Sequence, residues 1–226
     1  MGKTRDTLLD LAVVIVILCS LTLTAITIHR GHVARSAPTT RPDVKPERLE
    51  NWRDLSAVGH RIGPQDAEIT VVVFSDFECP MCRTFALETW PAFEARNPGR
   101  ATLVFRHWPL GQHRLARAAA LAAECAAAQG RFAQFHDQVF AEQSRLGLEP
   151  LQNFARAAGV SDLAAFDACV SEERGAASIA RDVEAVRHIG GLGTPTVVVN
   201  GWILRGGVAP ALLDSISRLA RLDQGR

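Results

Sequence analysis

The 226 residues carry 25 Lys and Arg against 24 Asp and Glu, a formal net charge of +1. Without a basic field to collect phosphates, no nucleic-acid partner is expected. Length allows one or two domains, and five cysteines, an odd number, cannot all pair within the chain.

In chain order, the first feature is Leu8 to Ile28, LLDLAVVIVILCSLTLTAITI, with Asp10 as its one charge. Twenty-one residues at helical rise are enough to cross the hydrocarbon core. A cleaved signal peptide would have a shorter apolar core and small residues at its cleavage site, and Arg35 interrupts the best candidate, which would end at Ala37. Cys19 follows Ile17 and Leu18 rather than small residues, so it reads as a lipid-facing side chain and not as a lipid attachment point. An uncleaved anchor over residues 1–30 is the prediction. Flanking charges do not orient it, because Lys3 and Arg5 lie on one side and Arg30, Arg35 and Arg41 on the other. Residues 31–59 read as a tether, SAPTTRPDVK, followed by a short amphipathic segment with Leu49, Trp52 and Leu55 at helical spacing.

The run ITVVVFS, Ile69 to Ser75, predicts a buried central strand. A helical pattern follows from Pro80 to about Arg96, where Pro80 suits the first turn and Pro91 should kink or break the helix. ATLVFRH, Ala101 to His107, predicts a second strand. Helical patterns then fill His113 to Gln129, Phe132 to Phe140, Glu149 to Ala158, Asp162 to Val170 and Glu172 to Ile189. TVVV, the hairpin signal Asn200-Gly201 and WIL predict two closing strands, and Ala209 to Leu222 a last helix. The order fits an α/β fold, with residues 60–108 and 190–226 forming a small sheet domain and residues 109–189 a helical insert.

Cys79 and Cys82 sit at the predicted strand-to-helix junction as Cys79-Pro80-Met81-Cys82. At a helix start, free N–H groups and partial positive charge stabilise a thiolate, so the Cys79 pKa should fall from ~8.5 into the range of about 3.5 to 7.5. Cys82, one turn further in, is shielded and close enough to close a disulfide. A zinc site would need two more ligands, another CxxC or paired histidines at metal spacing; the sequence shows none, and His107 and His113 are not such a pair, so no metal is expected. A purely structural bond closing so short a loop gains little. Cys79 is thus the candidate attacking thiol and Cys82 the resolving one, with no cofactor.

Thr194-Pro195 stands just before the TVVV strand. On the proline alone, a trans bond opening an edge strand is the plainer reading. A cis bond would leave the Thr194 backbone groups free for an extended partner. Asp76 and Glu78 precede Cys79. Either carboxylate could raise the Cys79 pKa by repulsion, Asp76 could relay the Cys82 proton, and the bland alternative is a pair of solvated loop acids. His113 is the histidine retained as a candidate near the redox face; His107, His136 and His188 read as surface or packing residues. Cys125 and Cys169, on separate helices, could form a structural disulfide or remain two buried thiols.

Taken in order, VVVFSDFECPMCRTF, FRHWPL, AECAAAQGRFAQFHDQVF and GLGTPTVVVNG resemble the DsbA-like thiol–disulfide oxidoreductases of the thioredoxin superfamily over roughly residues 60 to 222. The resemblance implies a thioredoxin fold and a cis Thr194-Pro195 bond beside the CPMC pair. It also implies disulfide exchange on reduced exported proteins in an oxidising, periplasmic compartment. Reoxidation would then come from a quinone-linked membrane partner of DsbB or VKOR type. Met81 departs from the histidine that well-known members carry between the cysteines and brings no charge to the thiolate, so a less extreme oxidant is expected. Two rivals remain: a reductase or isomerase of the same fold, and a copper metallochaperone using soft thiolates.

Overall fold

Six consecutive residues, Ile69 to Phe74, are apolar or β-branched because both faces of their strand are covered. The computed structural model describes Ile17, Ser20, residues 47–205 and residues 208–224. The chain divides into two units, Met1–Val44 and Lys45–Arg226, and the sheet and its helices belong to the second. Among the described residues no helix is long and apolar enough to cross a membrane. The predicted span Leu8–Ile28 and the tether fall outside them, apart from Ile17 and Ser20, which are both helical.

The strands are β1 Glu47–Arg48, β2 His60–Ile62, β3 Ile69–Ser75, β4 Ala101–His107, β5 Thr196–Val199 and β6 Trp202–Arg205. They form one sheet in the order β1-β6-β5-β3-β4-β2. β3 runs parallel to β4 and antiparallel to β5, with Val72 opposite both Val104 and Val198. The β5–β6 turn has Asn200 at φ 43° and Gly201 at φ 100°, the left-handed pair that a tight hairpin requires. A Cβ on Gly201 would lie 2.6 Å from the Trp52 ring, so only glycine lets the turn close there. Asn200 fixes the turn to β3, accepting from Thr70 N at 2.7 Å and donating to Glu68 O at 2.9 Å.

Side-chain alternation along β3 sends Val71 and Val73 into one core and Val72 and Phe74 into another. The helices are α1 Trp52–Ala57, α2 Pro80–Thr84, α3 Trp90–Arg96, α4 Ala116–Ala127, α5 Phe132–Ala141, α6 Leu151–Ala157, α7 Leu163–Ser171, α8 Ala176–His188 and α9 Pro210–Gln224. α2 and α3 are joined by a π-helical turn, Phe85–Thr89, in which Trp90 N–H reaches back to Phe85 O. The wider turn accommodates Pro91, which has no N–H to donate, so in place of the expected kink or break the helix passes through a π-helical turn. α4 buries Ala119, Ala122, Ala123 and Ala126, small side chains that admit α5 and α7 closely.

Three boundaries differ from the sequence reading. Glu47 and Arg48 pair with Ile203 and Trp202, and Trp52 is buried against Val72 and Ile203, so residues 47–57 complete the sheet rather than lead up to it. β2, not anticipated, pairs with β4. α8 falls within the predicted insert, residues 109–189, yet it packs on the sheet: Val186 joins the Val72, Phe74 and Val104 core. Its Asp182 is buried against Arg106 and accepts from His107 N at 2.7 Å. The rest of the helical block is therefore α4–α7, which packs on the Val71 and Val73 side of the sheet and is tied across by a disulfide between Cys125 and Cys169, 44 positions apart.

Candidate active site

β3 ends at Ser75, and the chain makes one turn before α2, with Cys79 N donating to Asp76 O at 3.1 Å. Cys79 is the residue before the helix, in extended conformation, and Pro80 takes the first helical position, where a missing N–H is harmless. Cys82 comes round one turn later on the inner side. Its exposure is 0%, against 6% for Cys79. Both are free thiols. The asymmetry has the expected sense, although the opening to Cys79 is narrow.

Electrostatics separate the two sulfurs. The Cys79 pKa is lowered from 9.0 to about 5, chiefly because the Cys82 thiol donates to its sulfur; burial opposes this, while the Thr194 hydroxyl and the backbone N–H groups of Cys82 and Met81 add to it. Burial pushes the Cys82 thiol strongly up, and the neighbouring Cys79 anion pushes it further. Cys82 also accepts from Asp76 N at 3.4 Å.

The Thr194-Pro195 bond is cis, and Thr194 O lies 3.5 Å from Cys79 Sγ. The Thr194 hydroxyl is buried with no other partner. Cys79, Cys82, Thr194 and Pro195 are thus brought together from 115 residues apart. Met81 is 50% exposed beside them and Leu192, just ahead of Thr194, is 83% exposed.

Neither acid is a solvated loop residue. Asp76 is buried and accepts from Glu78 N at 2.7 Å, Leu110 N at 2.7 Å and His113 Nδ1 at 2.8 Å. Glu78 accepts from Leu115 N at 2.6 Å, at the residue preceding α4. Together they clamp the CPMC loop to residues 110–115, a structural task. His113 does not begin a helix; it lies in the turn before α4, facing Asp76. Burial works against its protonation, yet the Asp76 carboxylate, and less strongly Cys79 and Glu78, raise its pKa above the ordinary 6.5.

Sequence reasoning missed two supports. Gln143 Nε2 donates to Phe77 O at 2.8 Å and Cys79 O at 3.0 Å, and Arg83 Nε donates to Phe140 O at 3.0 Å. Nothing in the sequence near Gln143 points to a cysteine 64 positions away. His136 is a buried packing residue, as expected, and His107 is buried with its Nε2 3.0 Å from Glu124 Oε1. His60, unremarked in the sequence, stacks on Phe132.

A family model described as Thioredoxin matches residues 56–216. Among solved structures, oxidised BdbD from Bacillus subtilis aligns at TM-score 0.64 and 22% identity, covering 71% of this chain and 91% of that one. DsbA from Chlamydia trachomatis aligns at 0.65 and 17%, covering 84% and 100%. A thioredoxin-like oxidoreductase from Silicibacter pomeroyi DSS-3 aligns at 0.61 and 26%, covering 72% and 91%. At these identities the first two establish the fold alone. In sequence, a region of Na(+)/H(+) antiporter NhaA 3 from Salinispora tropica is 39% identical over 145 residues, 63% of this chain and 22% of that protein. NhaA from Herminiimonas arsenicoxydans is 35% identical over 149 residues, 66% of this chain and 23% of that protein. The chain spans about a fifth of the length of these curated relatives.

Proposed function

The chain belongs to the thioredoxin family, and from that premise we propose that it is a DsbA-like thiol–disulfide oxidoreductase that introduces disulfides into exported proteins through Cys79 and Cys82. The observation that carries this reading is the split between the two sulfurs: Cys79 acidic, narrowly exposed and beside Thr194, Cys82 fully buried and protonated.

In the oxidised protein a substrate thiolate attacks Cys79 Sγ. The Cys79–Cys82 bond breaks, Cys82 takes the electron pair and, once protonated, rests as a buried thiol. The substrate is then joined to Cys79 by a mixed disulfide. Its second thiolate attacks the substrate sulfur of that bond, closes the substrate disulfide and expels Cys79. Two electrons pass from substrate to protein. A thiol with a pKa of about 5 leaves as a stable thiolate at neutral pH, which favours this direction of transfer. Thr194 O beside the sulfur, flanked by exposed Met81 and Leu192, offers a polar and apolar seat for an extended chain.

The same reading places the globule on the extracytoplasmic side of a membrane, anchored by Leu8–Ile28, with a quinone-linked reoxidase of DsbB or VKOR type as its partner. The Cys125–Cys169 disulfide supports an oxidising compartment. Labelling of a surface cysteine in intact cells by an impermeant maleimide would support that orientation, and protection until lysis would contradict it.

Oxidised protein mixed with a reduced two-cysteine peptide should oxidise it stoichiometrically. Cys82→Ser should accumulate the mixed disulfide. A reduction potential nearer the ~−120 mV of DsbA than the ~−270 mV of thioredoxin is expected. Peptide thiols left unchanged would refute the activity, and a potential near thioredoxin's would turn the reading towards a reductase.

A further inference from the structure

Away from the CPMC pair, three side chains from distant parts of the chain converge where β2 and β4 meet α4. His60 Nε2 lies 2.8 Å from Glu124 Oε1 and His107 Nε2 lies 3.0 Å from the same oxygen. All three ligand atoms fall within 4.8 Å of one another. A tetrahedral ion with bonds of about 2.0–2.2 Å sets its ligand atoms about 3.3–3.6 Å apart, so the two contacts to Glu124 need to open by about 0.3–0.8 Å.

The cluster is poorly explained as hydrogen bonding alone. One carboxylate oxygen faces two imidazole nitrogens, and the bond goes to His60. His107, 1% exposed, is left with a buried Nε2 that makes no hydrogen bond of acceptable geometry despite the short contact. An unpaired buried nitrogen is costly and rare. A cation uses the lone pairs of all three groups at once. The rings are also held in place: His60 stacks on Phe132 at 3.7 Å and 11°, and His107 stands edge-on to His60 and Phe105. Gly175 closes the back of the site, where any Cβ would lie 2.4 Å from the Glu124 Cβ.

We propose that His60, His107 and Glu124 form a site for one divalent transition-metal ion, with Zn2+ the intended occupant. Two imidazoles and a carboxylate are borderline donors suited to Zn2+, and a water or an added ligand would complete four-coordination. Two ligands come from the sheet and one from the helical block, so the ion would staple the two layers and is separate from disulfide exchange.

The test is Zn2+ titration by calorimetry into the metal-stripped full chain with its CPMC pair oxidised, so that those thiols cannot bind. Co2+ serves as the spectroscopic probe. One equivalent should bind saturably, Co2+ should show four-coordinate visible bands without thiolate charge transfer, and Tm should rise with Zn2+ concentration. His60→Asn, at a partly exposed position that should still fold, is expected to weaken binding by more than about 10–100-fold, the range already seen on losing an outer-shell partner. Glu124→Gln should do the same. Peptide oxidation by His60→Asn should match the parent protein. Absence of saturable binding, thiolate bands with Co2+, or equal affinity in both variants would overturn the proposal.

Discussion

Cys79 and Cys82 stand three positions apart at one helix start, whereas Cys125 and Cys169 are 44 apart and join α4 to α7. A cross-link over two intervening residues restricts almost nothing in the unfolded chain, so what that pair offers is chemistry: an acidic sulfur at an opening and a basic one behind it. A cross-link over 44 residues restricts a great deal, about 4 kcal/mol by loop entropy. Cys125 and Cys169 are buried in the helical block and already bonded to each other, away from the Thr194-Pro195 peptide that lies beside Cys79. Sequence spacing thus separates a working pair from a holding pair, and the environment of each sulfur agrees.

The sharpest way to break this contrast is to exchange the losses. Cys79→Ser should reduce peptide oxidation to the uncatalysed rate while the stabilisation from the Cys125–Cys169 cross-link stays in place. Cys125→Ala/Cys169→Ala should do the reverse: oxidation proceeds at the parent rate while Tm falls by roughly 8–16 °C, the equivalent of about 4 kcal/mol in a chain of this size. Slower exchange in the second variant with stability intact would erase the distinction.

Next in size is the clamp that presents the working pair. Asp76→Ala leaves Glu78 N, Leu110 N and His113 Nδ1 without their acceptor in a buried setting. At about 1–3 kcal/mol for each stranded donor, a loss of about 3 kcal/mol in urea unfolding is expected, alike in oxidised and reduced protein. A loss confined to one redox state would mean that Asp76 acts on the sulfur rather than on the loop.

A smaller effect concerns pH. Cys79 has its pKa lowered from 9.0 to about 5, so between those values the folded dithiol binds fewer protons than the unfolded one. Its contribution to the stability of the reduced form is therefore complete above about 9 and is lost as pH falls through about 5. Cys82, shifted upward, contributes in the opposite sense only above pH 9. The melting-temperature advantage of reduced over oxidised protein should accordingly widen from pH 5 towards pH 9. A flat difference would contradict the shift.

How far these features could be read from sequence depended on whether their cause is local. ITVVVF and TVVV announce buried strands because every position is apolar or β-branched, and Asn200-Gly201 announces its turn because few other pairs adopt positive φ. CPMC and Thr194-Pro195 are local too. Glu47–Arg48 carries no apolar pattern and forms a strand only because β6 offers an edge. α8 reads as one more helix of the insert, since nothing in its own sequence says that Asp182 will meet a buried Arg106. Glu78 looks like a solvated acid until Leu115 N, 37 residues on, is placed against it. His60, His107 and Glu124 have no meaningful spacing at all; only the pairing of β2 with β4 under α4 brings them together.

The acidity of one sulfur underlies the whole functional reading. Thiolate absorbance at 240 nm, followed against pH in the reduced protein with Cys82→Ala as a check on assignment, measures it directly. A transition in the reduced parent protein with its midpoint at about 5 is predicted; a midpoint close to 9, that of an ordinary thiol, would contradict it.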